Sequence, residues 1–383
     1  MSLFEDAPQT HIPEPPDTTD AAVEGLFSPQ SSDVCLGHEE QEQDFLASFY
    51  QGVLPHAMTF CGIEGIGKTT MAFRLARFLL KHGKQDITQD GLFADDLPQT
   101  KLSSLGVSRD EPVFRRVASG GHADLLHIHR QFNKDKGKQD SSLKVNELRK
   151  IEPFLRRTSS EGGWRIVIVE DADMMNRNAQ NAILKILEEP PKQVLIILVA
   201  HRPGKLISTI HSRARQVHFD PLSSQVISEL IEKNGVYLSE EDKETLAILS
   251  DGSIGQALKY LEYDGLNILD QFIEQIAAIQ QCKLSDVNAF SQSLSAPSQD
   301  KSYRIFVETF LWVMRKILFL KARGQPSLPD CLDREPIRTI FETYTVERLI
   351  VLCDDLKTHF DKVDFSNLDR RDAVRSGFLM LRD

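Results

Sequence analysis

The sequence predicts an α/β domain, a parallel sheet flanked by helices, followed by an all-helical remainder. Three observations carry that prediction. An apolar run, a glycine turn and a helix-forming run follow one another in MTFCGIEGIGKTT and MAFRLARFLL, from Met58 to Leu80. Two more runs, RIVIV at Arg165–Val169 and VLIILVA at Val194–Ala200, are apolar almost throughout. Strands of that kind are buried on both faces, as in parallel sheets whose crossover helices cover them. After Pro221 no strand pattern is evident, and apolar residues recur at helical spacing instead.

The glycine turn is the most informative element. Gly62-Ile63-Glu64-Gly65-Ile66-Gly67-Lys68-Thr69 fits G-x-x-x-x-G-K-[ST], between a predicted strand and a predicted helix. Gly62, Gly65 and Gly67 let the backbone turn tightly, so that N–H groups converge on phosphate oxygens at the helix N-terminus. Lys68 is placed to reach the β- and γ-phosphates, the Thr69 hydroxyl to ligate Mg²⁺, and Thr70 continues the nucleotide-binding stretch. The alternative is a plain glycine turn followed by an ordinary lysine.

The totals restrict the function classes. At 383 residues, two or three domains are expected. An apolar content of 41% and a charged content of 26% describe a globular protein. A net charge of −11 argues against a free-standing nucleic-acid binder held by bulk charge. Cys35, Cys61, Cys282, Cys331 and Cys353 are far apart, so neither structural zinc nor a disulfide framework is expected, and a reducing cytoplasm fits. The N-terminus lacks a basic-then-apolar export signal. The most apolar span, Ile305 to Leu320, carries Glu308, Arg315 and Lys316 and reads as a buried amphipathic helix, so no membrane association is expected.

In chain order, residues 1 to about 31 are rich in Pro, Asp, Glu and Thr and are expected to form a mobile, solvated tail. Leu36 to Phe49 is helical by pattern, and His56 precedes the first strand, either on the rim of a nucleotide site or as a structural residue. Residues 85 to 122 are polar and broken by glycine and proline, with a short helix over Val113–Val117. A second strand spans Asp124 to His129. On it His127 and His129 share a face, and without further ligands nearby they are read as structural rather than as a metal pair. Lys134 to Asp140 is a charged loop. Val145, Leu148, Ile151, Phe154 and Leu155 recur at helical spacing; the interspersed Arg149, Lys150, Arg156 and Arg157 form a solvated face or, alternatively, a DNA-facing edge.

The strand Arg165–Val169 ends in Glu170-Asp171. Carboxylates at the C-terminal end of such a strand lie where ligands bind in doubly wound sheets. With the phosphate loop they read as a Walker B-like pair, one acid positioning Mg²⁺ together with Thr69 and the next polarising the attacking water. Asn176 to Glu189 is a helix stopped by Pro190-Pro191. Pro203-Gly204 turns into a short helix, and Ser212-Arg213-Ala214-Arg215 precedes a last strand, Gln216 to Phe219. Three helices reach to about residue 265, with Ser239 as a predicted N-cap. Ile268–Cys282, Lys301–Arg323, Thr345–His359 and Asp369–Leu381 follow, interrupted by a loop from Gly324 to Pro329.

Pro55-His56-Ala57, Gly62 to Thr69, AQNAILKILEEPP at Ala179–Pro191, Pro203-Gly204 and Ser212-Arg213 together resemble the clamp-loader branch of the AAA+ ATPases. The likeness covers about residues 36 to 260 and, more loosely, Asn367 to Arg371. The resemblance implies a P-loop AAA+ domain over 32–220, a small helical lid over 221–266 and an all-helical collar domain for oligomerisation over 267–383. It implies ATP and Mg²⁺ as candidate cofactors. The implied partners are motor subunits and a delta subunit in a hetero-oligomeric ring, a sliding clamp, and primer–template DNA reached through the complex. It also makes Arg213 a trans-acting arginine finger: a guanidinium that neutralises charge on a neighbour's γ-phosphate.

Departures from the family pattern point to a weak hydrolase. The acids stand in the order Glu170-Asp171 rather than Asp-Glu, displacing each carboxylate by one methylene, roughly 1 Å, enough to spoil an in-line water attack. The lid motif Gly-Ser-x-Arg reads Gly252-Ser253-Ile254-Gly255, so its cation is missing. The first sensor strand ends Val199-Ala200-His201, without the usual Thr, Ser or Asn. The four cysteines of a zinc module are absent from residues 85–122, so no zinc is expected there. The resulting expectation is a stator-like ring member of the replicative polymerase's clamp loader. Against it stand a catalytically active, gamma- or tau-like motor subunit and a different AAA+ machine such as a helicase loader or branch-migration motor.

Overall fold

The computed structural model describes residues 28–83, 102–133, 138–140, 142–296, 299–366 and 369–382. The expected tail up to residue 27, residues 84–101 of the polar insertion, most of the charged loop after Asn133, and the Asn367-Leu368 pair lie outside the described residues. The contacts divide the chain into two compact units. One comprises residues through Cys35, Glu39–Phe60 and Lys68–Val217; the other comprises Leu36–His38, Cys61–Gly67 and His218 onward.

The first unit is built on a five-stranded sheet, β1 (Ala57–Cys61), β2 (Leu125–Ile128), β5 (Arg165–Val169), β6 (Val194–Ala200) and β7 (Arg215–His218), in the order β2-β5-β6-β1-β7. β2 runs parallel to β5, and β5 parallel to β6. Every residue of β1, β5 and β6 is buried, as their largely apolar runs require, Thr59 and Arg165 included. The non-sequential order puts β1 next to β6, so the residue following β6 emerges at the same sheet edge as the strand that leads into the glycine loop.

Helices α1 (Glu39–Tyr50), α2 (Lys68–His82) and α3 (Pro112–Ala118) belong to this unit, the last with proline in its first turn, where a missing N–H costs nothing. The helical spacing from Val145 to Leu155 resolves into two short helices, α4 (Val145–Leu148) and α5 (Ile151–Leu155), rather than one. Pro153 is the reason: it has no N–H to bond the Arg149 carbonyl. The charged loop is flanked by a two-residue antiparallel pair, β3 (Phe132–Asn133) and β4 (Lys138–Gln139), too short and polar to show in the sequence pattern. α6 (Arg177–Glu188) is capped by Asn176, whose side chain accepts from the Ala179 N–H at 2.9 Å. A short 3₁₀ turn at Pro203–Lys205 leads to α7 (Ser208–His211).

From Ser28 the chain is tied to this unit. Arg77, 2% exposed, donates to the Gln30 carbonyl at 3.0 Å and to the Ser32 carbonyl at 2.6 Å. Gln30 in turn donates to the Val117 carbonyl at 2.6 Å.

The second unit is helical. α8 (Ser224–Lys233), α9 (Glu240–Leu249) and α10 (Ile254–Glu262) are each capped by the serine before them: Ser223, Ser239 and Ser253. α11 (Gly265–Gln280), α12 (Leu284–Leu294), α13 (Asp300–Ala322), α14 (Glu335–Thr343), α15 (Val346–Ser366) and α16 (Arg370–Leu379) follow. Phe272, Phe306, Phe310 and Phe378 form their buried centre, with ring centroids 4.8 Å apart for Phe272–Phe310 and 5.3 Å for Phe310–Phe378. Asp251 accepts from the Trp312 indole at 2.6 Å, which ties the turn after α9 to α13. Among the described residues no helix is long and apolar enough to cross a membrane.

Candidate nucleotide site

Gly62, Gly65 and Gly67 have φ of 152°, 77° and 101°, values that L side chains rarely adopt. The carbonyls of the loop are engaged by the protein. His38 Nε2 lies 2.6 Å from the Ile66 carbonyl oxygen, and its ring stands edge-on to Phe219 at 4.9 Å. The Gly255 N–H donates to the Gly65 carbonyl at 2.9 Å. A Cβ on Gly255 would meet Gly65 Cα at 2.9 Å, and one on Gly65 would meet Ser253 Oγ at 2.3 Å. Thus Gly255, where the resemblance expects a cation, instead brings the start of α10 into backbone contact with the loop.

In the first unit, Lys68 opens α2 and is 2% exposed. Its Nζ lies 3.0 Å from His201 Nδ1, and His201 Nε2 lies 2.8 Å from Asp171 Oδ1. An ammonium can only donate, so Nδ1 accepts, Nε2 carries the proton and donates to Asp171, and the imidazole is neutral. Arg130 Nε donates to the other carboxylate oxygen, Asp171 Oδ2, at 2.6 Å. The His201 backbone N–H is held by Asp173 Oδ1 at 2.9 Å. Burial would push the Asp171 carboxyl up, but the hydrogen bonds from His201 and Arg130 outweigh it and hold it below the usual carboxylate range. Asp171 itself sits in the left-handed region at φ 50°.

Glu170 faces elsewhere: its Oε1 lies 3.4 Å from His127 Nε2. His127 and His129 do share a side, with ring centroids 4.7 Å apart, and burial followed by the neighbouring His127 pushes His129 down. Among the described residues no cluster of three or more His, Cys, Asp or Glu is arranged to hold a metal. His56 Nε2 lies 3.1 Å from the Leu187 carbonyl at the end of α6, which is a structural contact. Thr69 and Thr70 are half-buried in the first turn of α2.

Arg213 is not part of this group. It follows α7, where its Nη2 lies 2.9 Å from Glu188 Oε1 and its Nη1 donates to the Thr209 carbonyl and Ser212 Oγ at 3.1 Å. Its side chain is 33% exposed.

The structure therefore joins Lys68 to Asp171, but through His201, a residue notable in the sequence only for not being Thr, Ser or Asn. Arg130 and His38 had no motif to mark them. The signal for His201 was its place just beyond an all-apolar strand; only the order β6-β1 says which strand end it shares. Within the first unit, the buried Lys68 and the Thr69 hydroxyl at the start of α2 are the donor types that a magnesium-bound nucleoside triphosphate takes; taken by itself, the glycine loop has the left-handed φ that a phosphate loop needs.

Residues 37–223 match the family described as DNA polymerase III, delta subunit. The chain is 24% identical over 374 residues to DNA polymerase III subunit tau of Bacillus subtilis, covering 91% of this chain and 61% of that protein. It is 27% identical over 226 residues to subunit delta' of Pseudomonas aeruginosa, covering 59% and 61%, and 26% identical over 235 residues to subunit delta' of Escherichia coli, covering 61% and 63%. It thus spans about three-fifths of the length of these curated relatives. Among solved structures, a DNA polymerase III gamma subunit-related protein of Thermotoga maritima aligns with a TM-score of 0.41 at 14% identity, over 88% of this chain and 99% of that one. The phosphate loop, the LEEPP block and the Ser-Arg pair all lie inside the matched residues 37–223, the stretch over which the chain is similar to clamp-loader subunits of the AAA+ type.

Proposed function

We propose that the chain is a delta-prime-like subunit of a DNA polymerase III clamp loader, a stator that holds nucleotide poorly suited for hydrolysis and lends Arg213 to a neighbouring ATPase subunit. Its partners in this reading are motor subunits and a delta subunit in a cytoplasmic ring, which together load a sliding clamp on primer–template DNA. The proposed division is an AAA+ domain over 32–220, a lid over 221–266 and a collar over 267–383.

The observation that carries the reading is the state of Asp171. A carboxylate that accepts from both His201 and Arg130 has both oxygens committed and is held ionised by two donors, so it is a poor base for a water. The lid offers Gly255 in place of a γ-phosphate cation. In this reading magnesium-bound ATP would be held by Lys68 and the Thr69 hydroxyl, Glu170 would have to leave His127 to reach the metal, and the bound nucleotide would supply a phosphoanhydride. This chain's residues then bind and orient without activating water.

Arg213 suits donation in trans. An exposed ion pair such as Arg213–Glu188 is worth about 0–1 kcal/mol, so the guanidinium is readily given up to a phosphate on a neighbour. The intact phosphate loop and the tau and gamma relatives favour the second reading, a true motor subunit. Purified-chain ATP turnover separates the two. The stator reading expects turnover at background, equal to that of Lys68→Ala; turnover that Lys68→Ala abolishes makes the chain a motor.

A further inference from the structure

We propose that His201 is a positioning residue that holds the Lys68 ammonium in reserve, bridging it to Asp171, and that a triphosphate must take Lys68 away from His201 in order to bind. The inference rests on the reading that the loop takes a nucleotide. It adds a reason why an intact phosphate loop need not grip one tightly.

The geometry leaves His201 little choice of role. Lys68 Nζ at 3.0 Å from Nδ1 and Asp171 Oδ1 at 2.8 Å from Nε2 use both ring nitrogens. Turning the ring would forfeit both bonds at once. The residue cannot drift either: its backbone N–H is pinned by Asp173 at 2.9 Å, and it follows a strand buried along its whole length. A Thr, Ser or Asn at this position has too short a side chain to span from the lysine to the carboxylate. Asp171 remains held by Arg130 when His201 is removed, so the far end of the bridge does not depend on the histidine alone.

A hydrogen bond to a charged group contributes enough that its loss as a competitor changes an affinity roughly tenfold or more. The full chain is titrated with mant-ATP and Mg²⁺. His201→Ala is expected to bind roughly tenfold tighter than the unaltered chain. In the Lys68→Ala background the same change is expected to have no effect, because the two residues act on one interaction. Equal or weaker binding by His201→Ala, or an equal gain in both backgrounds, overturns the proposal.

Nitrogen NMR of the imidazoles gives a second readout that needs no altered fold. In the nucleotide-free chain the His201 signals, assigned with His201→Asn, should show a protonated Nε2 and an accepting Nδ1. Saturating Mg²⁺–ATP should move Nδ1 toward the signal of a nitrogen that has lost its donor. An Nδ1 that stays put overturns the tether. These results are distinct from the turnover test: a hydrolysing chain sinks the stator reading and leaves the tether standing, and an unmoved affinity does the reverse.

Discussion

Asp171 shows how little the identity of a residue says about its role until its neighbours are placed. The acid is visible in the sequence as one of two carboxylates after an apolar strand. What it does is set by Arg130 from the end of β2 and His201 from the end of β6, residues 41 and 30 positions away. No periodicity or motif links them, because they meet only through strand order. The sign of its titration follows from those donors. Its folded carboxyl is held below the unfolded value, about 3.9, so its contribution is full above that pH and is lost as pH falls through the folded value. Asp171→Asn is expected to cost about 1–3 kcal/mol near neutrality, since it leaves the charged Arg130 donor and the His201 N–H poorly satisfied. The difference from the unaltered chain should shrink as pH drops below about 4. Urea denaturation across that range measures it; a deficit that is constant or grows with acid would contradict the assignment.

At the scale of elements, the readable parts were those whose burial is written in one continuous run. β1, β5 and β6 are apolar but for Thr59 and Arg165 and lie in the middle of the sheet, buried as such runs are expected to be. Serine caps before α9 and α10 and the proline stop after α6 mark their ends by local chemistry. α12 was not legible: its stripe, Val287, Phe290 and Leu294, is diluted by serine, asparagine and glutamine, and its burial comes from α11 before it and α16 near the far end of the chain. α14 was not legible either: its inward face is essentially Ile337 and Ile340, and it packs against α11, far back in the chain. Gly255 lies between these cases. The missing lid cation was legible, but the backbone bond from Gly255 to the Gly65 carbonyl was not.

That contact makes a sharp prediction about α10. Alanine normally favours a helix over glycine by about 1 kcal/mol. At Gly255, however, the new Cβ would stand 2.9 Å from Gly65 Cα, a backbone atom that can yield only by moving the loop. Overpacking of this kind costs about 1–3 kcal/mol. Gly255→Ala should therefore lower the urea midpoint, whereas Gly204→Ala, with nothing within 4 Å of its Cβ, should leave it nearly unchanged. A stabilised Gly255→Ala variant would mean that the start of α10 does not press on the loop.

For the whole molecule, the parts of the account fit one division of labour. The net charge of −11 argues against DNA binding by bulk charge, which fits the proposal that any DNA contact is made through an assembly. The loop is held by His38 and Gly255, the lysine by His201 and the acid by Arg130, so the chain's own machinery is occupied before any substrate arrives. Arg213 makes no contact with these groups; its side chain is one-third exposed and pairs with Glu188 at 2.9 Å. In the proposed reading the chain is silent by itself and acts through a neighbour. The most direct measurement is the ATPase rate of a reconstituted ring carrying Arg213→Ala, with assembly followed by mass. The account predicts that the ring forms as before and its ATPase falls by about three orders of magnitude at the site that receives the finger. An unchanged rate, or a ring that no longer assembles, would contradict it.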